Sequence, residues 1–400
     1  MGFLSKNICQ VEPSSTLAVA QGVRRLRGLG REVIDLGVGE PDFGTPENVK
    51  QAAIKAIREG KTRYVEVNGI PELKSAIVSK FKEQNDIEYQ ASEIIVSSGC
   101  KQVLFNALMA TINPGDEVLI PVPYWVTYPE IVRLVGGVPV FIDTNPADGF
   151  KVNPNELENA ITMRTKWLIF NSPSNPSGSV YTASEIRSLM EVIARHPHVW
   201  VLSDDIYEHF VYDGFAFSTP AQVFQDLRHR ILTVNGVSKA YAMTGWRIGY
   251  CGGPEPLIKA MGVLQGHATS HPCSVSQWAA VEALNSDQGH VERNNQLFRV
   301  RRDMIVPIIN QSPGLSCDVP RGSFYVYVSC AQLIGKGLPS GKRIGTADDF
   351  AEMLLEATGV AVVGGAAFGH RDHFRISYAL DDRLLKRAGE FIRDFCSNLH

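Results

Sequence analysis

The chain has 400 residues, of which 44% are hydrophobic and 20% charged, and its net charge is -3. This is the make-up of an ordinary globular protein of about two domains, without the basic excess that holds a nucleic-acid backbone or an anionic membrane surface. No apolar run nears the roughly eighteen residues that cross a bilayer, Met1 to Asn7 carries no signal-peptide core, and seven scattered cysteines without a CxxC pair argue against a disulfide framework or a metal site, so the cytoplasm is the expected compartment.

Residues 11–31 read as a helix capped by Ser14 or Ser15, followed by a short strand that enters Gly37-Val38-Gly39-Glu40-Pro41-Asp42-Phe43. Gly39 permits close backbone approach to a ligand, or simply a turn. A dinucleotide fingerprint is excluded, because Asp42 stands where its third glycine would be. An amphipathic helix follows over 46–59, with Pro46 suited to its first turn. Ile94 to Ser98 is a β-branched strand that runs into Gly99-Cys100-Lys101-Gln102 and a helix over 103–111. Strand, small-residue turn and helix N-terminus can make an anion site, or an ordinary strand-to-helix turn.

Strands follow at 117–121 and 138–142. After the first comes the aromatic cluster Tyr124-Trp125-Val126-Thr127-Tyr128, which packs against the fold or stacks on a flat ring. A strand at 166–170 ends in Asn171 to Gly178, and a helix spans 183–195. The strand at 199–203 meets Asp204-Asp205-Ile206-Tyr207. A carboxylate at the end of a buried strand needs a partner, unless it caps a helix. On a helix, Asp204 and Tyr207 would share one face. A strand at 230–234 leads to the stretch Asn235 to Tyr250, and 246–251 reads as strand again.

Strands thus alternate with helices from 46 to about 251, which gives a mostly parallel sheet covered on both faces. A long helix over 286–311 then leads to strands at 322–328, 360–363 and 374–378, with helices at 347–358 and at the C-terminus. Arg375 lies in an apolar strand, where it needs a salt-bridge partner or a carboxylate ligand.

The stretch around Lys239 carries the chemistry. A lone lysine in small, apolar surroundings loses proton affinity through desolvation and becomes a nucleophile able to form a Schiff base. Arg247 nearby, between Gly245 and Gly249, suits a phosphate. An aldehyde and a phosphate together point to pyridoxal phosphate.

Taken in order, these motifs closely resemble the class I/II aminotransferases of fold type I, especially bacterial aspartate aminotransferases, over essentially the whole chain. The resemblance implies a large domain at 46–290 with a mostly parallel seven-stranded sheet. It also implies a smaller α+β domain from 1–45 and 291–400 that closes on substrate. Lys239 would hold the cofactor as an internal aldimine and move the substrate proton, in a ping-pong exchange between an amino acid and a 2-oxo acid. Asp204 would face the ring nitrogen, Asn175 and Tyr207 the phenolic oxygen, and Trp125 the ring face. Ser238, Arg247 and the backbone of Gly99, Cys100 and Lys101 would hold the phosphate. Tyr64 would reach the cofactor of a second subunit, which implies a homodimer with its sites at the subunit interface. Arg375, with Gly39, Asn175 and Trp125, would bind the substrate.

The resemblance further implies that Lys101 and the hydroxyls near Ser14 and Thr16 meet a side-chain carboxylate, which favours a dicarboxylate such as aspartate or glutamate, with oxaloacetate or 2-oxoglutarate as acceptor. Glu12 stands where relatives that accept prephenate tend to carry lysine, so prephenate is expected to react poorly. Gly236 replaces a common phosphate-binding hydroxyl, Cys100 a common glycine, and Glu66, His267 and His271 depart from the pattern. A different amino donor, or a β-lyase or synthase outcome, shares the same lysine, acid and arginines. A cofactor-binding sensor would need an N-terminal DNA-binding domain, and only about forty residues precede the large domain.

Overall fold

The computed structural model describes residues 2–12, 15–338 and 341–400, with residues 15–18 described by backbone alone. Twelve strands occur among them. The first eight are β1 (Ile34–Asp35), β2 (Ile94–Ser97), β3 (Glu117–Pro121), β4 (Val138–Ile142), β5 (Thr165–Asn171), β6 (Trp200–Asp204), β7 (Ile231–Gly236) and β8 (Gly249–Gly252). The rest are β9 (Tyr325–Ser329), β10 (Val360–Ala361), β11 (Val363–Gly364) and β12 (His373–Ser377).

Seven strands form one sheet in the order β2-β8-β7-β6-β5-β3-β4, and β8 alone runs against the rest. Every residue of β2, β7 and β8 is buried. Covered on both faces, such strands read as continuous apolar or small-residue runs rather than as alternation. Successive side chains still leave opposite faces. Val201 and Ile231 join the core that holds Phe81 and Tyr250, while Leu202 and Leu232 join the one that holds Trp167 and Leu104.

A third core lies around β9 and β12. Phe298 and Ile305 of the helix Gly289–Asn310, Phe350 of Ala347–Thr358 and Ile392 of Asp382–Ser397 pack there with Ile34 and Leu36. Strand β1 pairs in parallel with β10, so the two ends of the chain meet beside the antiparallel sheet β11-β12-β9. Local chemistry starts and stops these elements. Thr182 with Glu185, and Thr346 with Asp349, form reciprocal caps at two helix starts, each worth about 1 kcal/mol. Gly359, at φ 78, ends the second of these helices.

Four readings from sequence are corrected. No helix follows Asp204: the acid is the last residue of β6 and the chain turns at 206–209. The strand read from 246 starts at Gly249, because Thr244–Trp246 is a single 3-10 turn and Arg247 is left-handed at φ 56. The helix read from 103 begins at Cys100, directly after Gly99 at φ 87. A helix at Thr127–Leu134 was hidden by Pro129, which sits harmlessly in its first turn.

Candidate active site

The C-terminal ends of β5 and β6 and the loop after β7 open onto one cavity of about 370 Å³. This is the edge at which open α/β sheets bind ligands. Lys239, Asp204, Tyr207, Trp125, Asn175, Ser238, Arg247, Cys100, Lys101, Gly39 and Arg375 all line it. They come from the C-terminal edge of the seven-stranded sheet, the loops beside it, and β12 of the antiparallel sheet.

Lys239 Nζ donates to the carbonyl of Gly39 at 2.5 Å. Burial pushes its amine down to about 8, with Cys100 and Glu40 opposing the change. Near neutrality a useful fraction is therefore the free base, the form that attacks a carbonyl. Asp204 is 3% exposed; its Oδ2 accepts from Tyr128 Oη at 2.7 Å, and its Oδ1 is buried with no hydrogen-bond partner among the described residues. Burial raises this carboxyl to about 6, against the Tyr128 hydrogen bond that favours ionisation. A buried acid with a free oxygen is suited to a cationic N–H donor. Tyr207 Oη lies 3.0 Å from Tyr325 Oη, and burial holds the Tyr207 phenol well above its ordinary range.

An anion cradle stands at the start of the helix Cys100–Thr111. Arg247 Nη1 donates to Thr244 O at 2.8 Å and Nη2 to Ser98 O at 3.4 Å. A Cβ on Gly99 would run into that guanidinium, so the glycine is required both for its φ of 87 and for space. A Cβ on Gly236 would lie 2.8 Å from Cys100 Sγ, which donates to Asn235 O at 3.1 Å. Lys101 Nζ is 4.9 Å from the centre of the Trp125 ring. Burial first, and Arg247 second, lower the proton affinity of Lys101.

Across the cavity, Arg375 is 2% exposed. Its Nη1 donates to Asn175 Oδ1 at 2.9 Å and its Nη2 to Gly37 O at 2.8 Å, while Nε is buried without a hydrogen-bond partner among the described residues. No carboxylate neutralises it in these contacts. The salt-bridge alternative raised from sequence thus finds no partner among its hydrogen-bonding neighbours.

Gly99 touches the cradle without lining the cavity. Tyr64 is 90% exposed and its ring meets His271 edge-on at 5.7 Å, away from the cavity lining. Glu66, His267, His271 and Glu12 do not line the cavity either; Glu12 N–H is held by Glu130 Oε2 at 2.9 Å. Ser14 and the side chain of Thr16 lie outside the described residues. Sequence reading passed over Tyr128, Tyr325 and Asp35. Tyr128 belonged to an aromatic cluster open to a packing explanation, and Tyr325 to an apolar strand. Asp35 did carry a signal, an acid set between Ile34 and Leu36.

The model for the family "Aminotransferase class I and II" matches residues 31–392. A probable aspartate/prephenate aminotransferase of Rhizobium leguminosarum bv. phaseoli is 54% identical over 396 residues, 99% of each chain. The aspartate/prephenate aminotransferase of Cereibacter sphaeroides is 53% identical over the full length of both. Among solved structures, aspartate aminotransferase of Rhizobium meliloti superposes with a TM-score of 0.97 at 52% identity over all of both chains. That of Thermus thermophilus with maleate gives 0.92 at 41%, covering 98% of this chain and all of the other.

Proposed function

The chain belongs to the class I and II aminotransferases and moves an amino group between an amino acid and a 2-oxo acid; we propose that aspartate is its preferred amino donor and pyridoxal phosphate its cofactor. The observation that carries the cofactor is the buried, unpartnered Oδ1 of Asp204 in the same cavity as a free lysine amine and an arginine-lined helix N-terminus. A pyridinium N–H, an aldehyde and a phosphate are the groups that these three features fit. When bound, pyridoxal phosphate supplies the aldehyde for amine exchange and an electron-poor ring that accepts the electron pair of the substrate Cα–H bond.

In this reading Lys239 holds the cofactor, then takes the Cα proton and returns it at the exchange position. Its lowered proton affinity suits a base near neutral pH. Asp204, ionised opposite a protonated ring nitrogen, keeps the proton there, and Tyr128 keeps Asp204 oriented. Tyr207 and Asn175 serve the phenolic oxygen, and Trp125 covers the ring. Arg247, Ser238 and the backbone at Gly99, Cys100 and Lys101 grip the phosphate. Arg375 takes the substrate α-carboxylate in a fork-to-fork pair, with Asn175 and Gly39 beside it.

For the side chain, Lys101 at the cavity wall supports a second carboxylate, and the names of the relatives support aspartate. Those names also support prephenate as an acceptor. They stand against the expectation that Glu12 disfavours prephenate, which turnover of prephenate as efficient as that of oxaloacetate would overturn. The exposed Tyr64 supports a homodimer in which each subunit completes the other's site. The two cores flanking the seven-stranded sheet, and the third around β9 and β12 into which Tyr207, Phe210 and Tyr212 also pack, support 46–290 as the cofactor domain and 1–45 with 291–400 as the closing domain. Seven free cysteines, with no disulfide, support the cytoplasm.

Two measurements test the reading. Lys239→Ala should lose both the visible absorbance of the bound cofactor and turnover, and near wild-type turnover would sink the lysine assignment. Mixing holoenzyme with each amino acid in turn, and following loss of that absorbance, ranks the donors. A β-lyase outcome would instead release ammonia or pyruvate without any 2-oxo acid.

A further inference from the structure

Asp35 is an acid in the cavity wall, flanked by the buried Ile34 and Leu36. The backbone around it is almost fully committed. Ile34 N–H donates to Gly359 O at 3.0 Å, Leu36 N–H to Ala361 O at 2.9 Å, and Leu36 O accepts from Ser377 N–H at 2.8 Å. The chain leaves this ladder at Gly37, whose N–H donates instead to Asp35 Oδ1 at 2.9 Å. The carbonyl of the same residue accepts from Arg375 Nη2 at 2.8 Å. Gly37 is therefore held on one side by Asp35 and read on the other by Arg375. A side chain at this position would crowd its surroundings, since a Cβ there would lie 3.2 Å from Asp35 Oδ1 and 3.3 Å from Val363 Cγ2.

Arg375 has few other fixed points. Asn175 Oδ1 holds Nη1, and the Tyr325 ring lies 4.4 Å from Cζ. The Gly37 carbonyl is the only acceptor on Nη2 among the described hydrogen bonds. Any rotation of the Gly37 backbone moves that acceptor and tilts the guanidinium fork. A tilted fork meets a carboxylate through one bond rather than two.

We propose that Asp35 is a positioning residue for the substrate α-carboxylate: it fixes Gly37, and Gly37 fixes Arg375. The inference rests on the reading of Arg375 as the carboxylate anchor. Oδ1 as acceptor is what sets the geometry; the Asp35 carboxylate also attracts the Arg375 guanidinium through space. The two contributions can be separated by substitution. Asp35→Asn keeps an acceptor oxygen at the same reach and removes the charge. Asp35→Glu keeps the charge and displaces the acceptor by one methylene. Asp35→Ala removes both.

The test is calorimetric binding of maleate, an unreactive dicarboxylate, to holoenzyme, alongside KM and kcat for aspartate. D35A and D35E should weaken maleate about tenfold, the scale of one hydrogen bond. KM should rise in proportion, with kcat held within about twofold. D35N should stay within about twofold of wild type in both readouts. Wild-type maleate affinity in D35E and D35A overturns the proposal, and so does a D35N variant as weak as D35E. If D35A does not fold, the contrast between D35N and D35E decides the matter alone. R375A serves as the reference: unchanged maleate binding there removes the anchor assignment itself. Collapsed binding in R375A with no effect in D35A or D35E removes only the role of Asp35.

Discussion

Replacing Asp204 with asparagine should abolish turnover and yet stabilise the protein stripped of cofactor. The structure gives the size of the second effect. Burial moves the Asp204 carboxyl from 3.8 to about 6. Each tenfold change in proton affinity is about 1.4 kcal/mol, so keeping the ionised side chain buried costs about 3 kcal/mol at pH 7. The sign follows from linkage. Below pH 3.8 both folded and unfolded chains hold the proton, and wild type and variant should be equally stable. As pH rises from 3.8 to 6 the unfolded carboxyl loses its proton first, and wild type loses stability relative to the variant. Above about pH 7 the difference is complete. Urea unfolding of both cofactor-free proteins at about pH 4 and pH 7 measures it, because titrating groups not coupled to Asp204 cancel in the comparison and Lys239, lowered to about 8, is still mostly protonated. With cofactor restored the ranking should reverse in function: the variant lacks the ionised partner for the ring nitrogen, and turnover should fall by at least about a hundredfold. A stability difference that does not change with pH, or a wild type more stable at pH 7, would refute the reasoning.

Two further outcomes follow from contacts around the site. Gly99→Ala places a methyl against the Arg247 guanidinium at a φ of 87 that alanine adopts poorly. Cofactor should dissociate at least about tenfold more readily, judged by absorbance titration of the stripped protein; unchanged affinity would show that the cradle does not hold the phosphate. Lys80→Met should cost about 3–5 kcal/mol in denaturant unfolding at neutral pH, because it leaves Glu208 buried with only His209 at 3.3 Å and Asn85 at 2.8 Å beside it. Burial works to raise the Glu208 carboxyl, but Lys80 and His209 overcome it and hold it below its ordinary range. Wild type should accordingly lose this contribution as pH falls below 4.5, and the variant should not.

Much of this was legible in the sequence because the site is built at strand ends. Period and composition located β2, β3, β5, β6 and β7, and each functional residue sat just past a recognisable run. Asp204 and Lys239 stood out because a charge in apolar surroundings is rare. What sequence could not show was orientation. Tyr128 lies seventy-six residues from Asp204 and meets it only because β3 and β6 end on the same edge of the sheet. The pair Cys100 and Gly236 looked like two unrelated departures from the family pattern, yet the thiol occupies the space above the glycine. The strand misread from 246 has a physical cause as well: Arg247 takes a left-handed turn, which its apolar neighbours Trp246 and Ile248 conceal.

Two buried acids close together on the chain show why pairing, and not burial alone, marks the site. Glu208 is deeply buried, but Lys80, Asn85 and His209 surround it and keep it ionised; it holds the fold together and does not line the active-site cavity. Asp204 is as deeply buried, has a tyrosine on one oxygen and nothing on the other, and lines the cavity. Asp205 separates the two criteria. Burial raises it to about 7, its Oδ2 is unpartnered among the described residues, and Ser203 holds its other oxygen at 2.6 Å much as Tyr128 holds that of Asp204, but it has no face on the cavity. A raised carboxyl therefore does not identify a ligand site by itself. The combination of an unpartnered oxygen, an open cavity and a lowered lysine within that cavity does, and Asp204 is the acid that meets all three conditions.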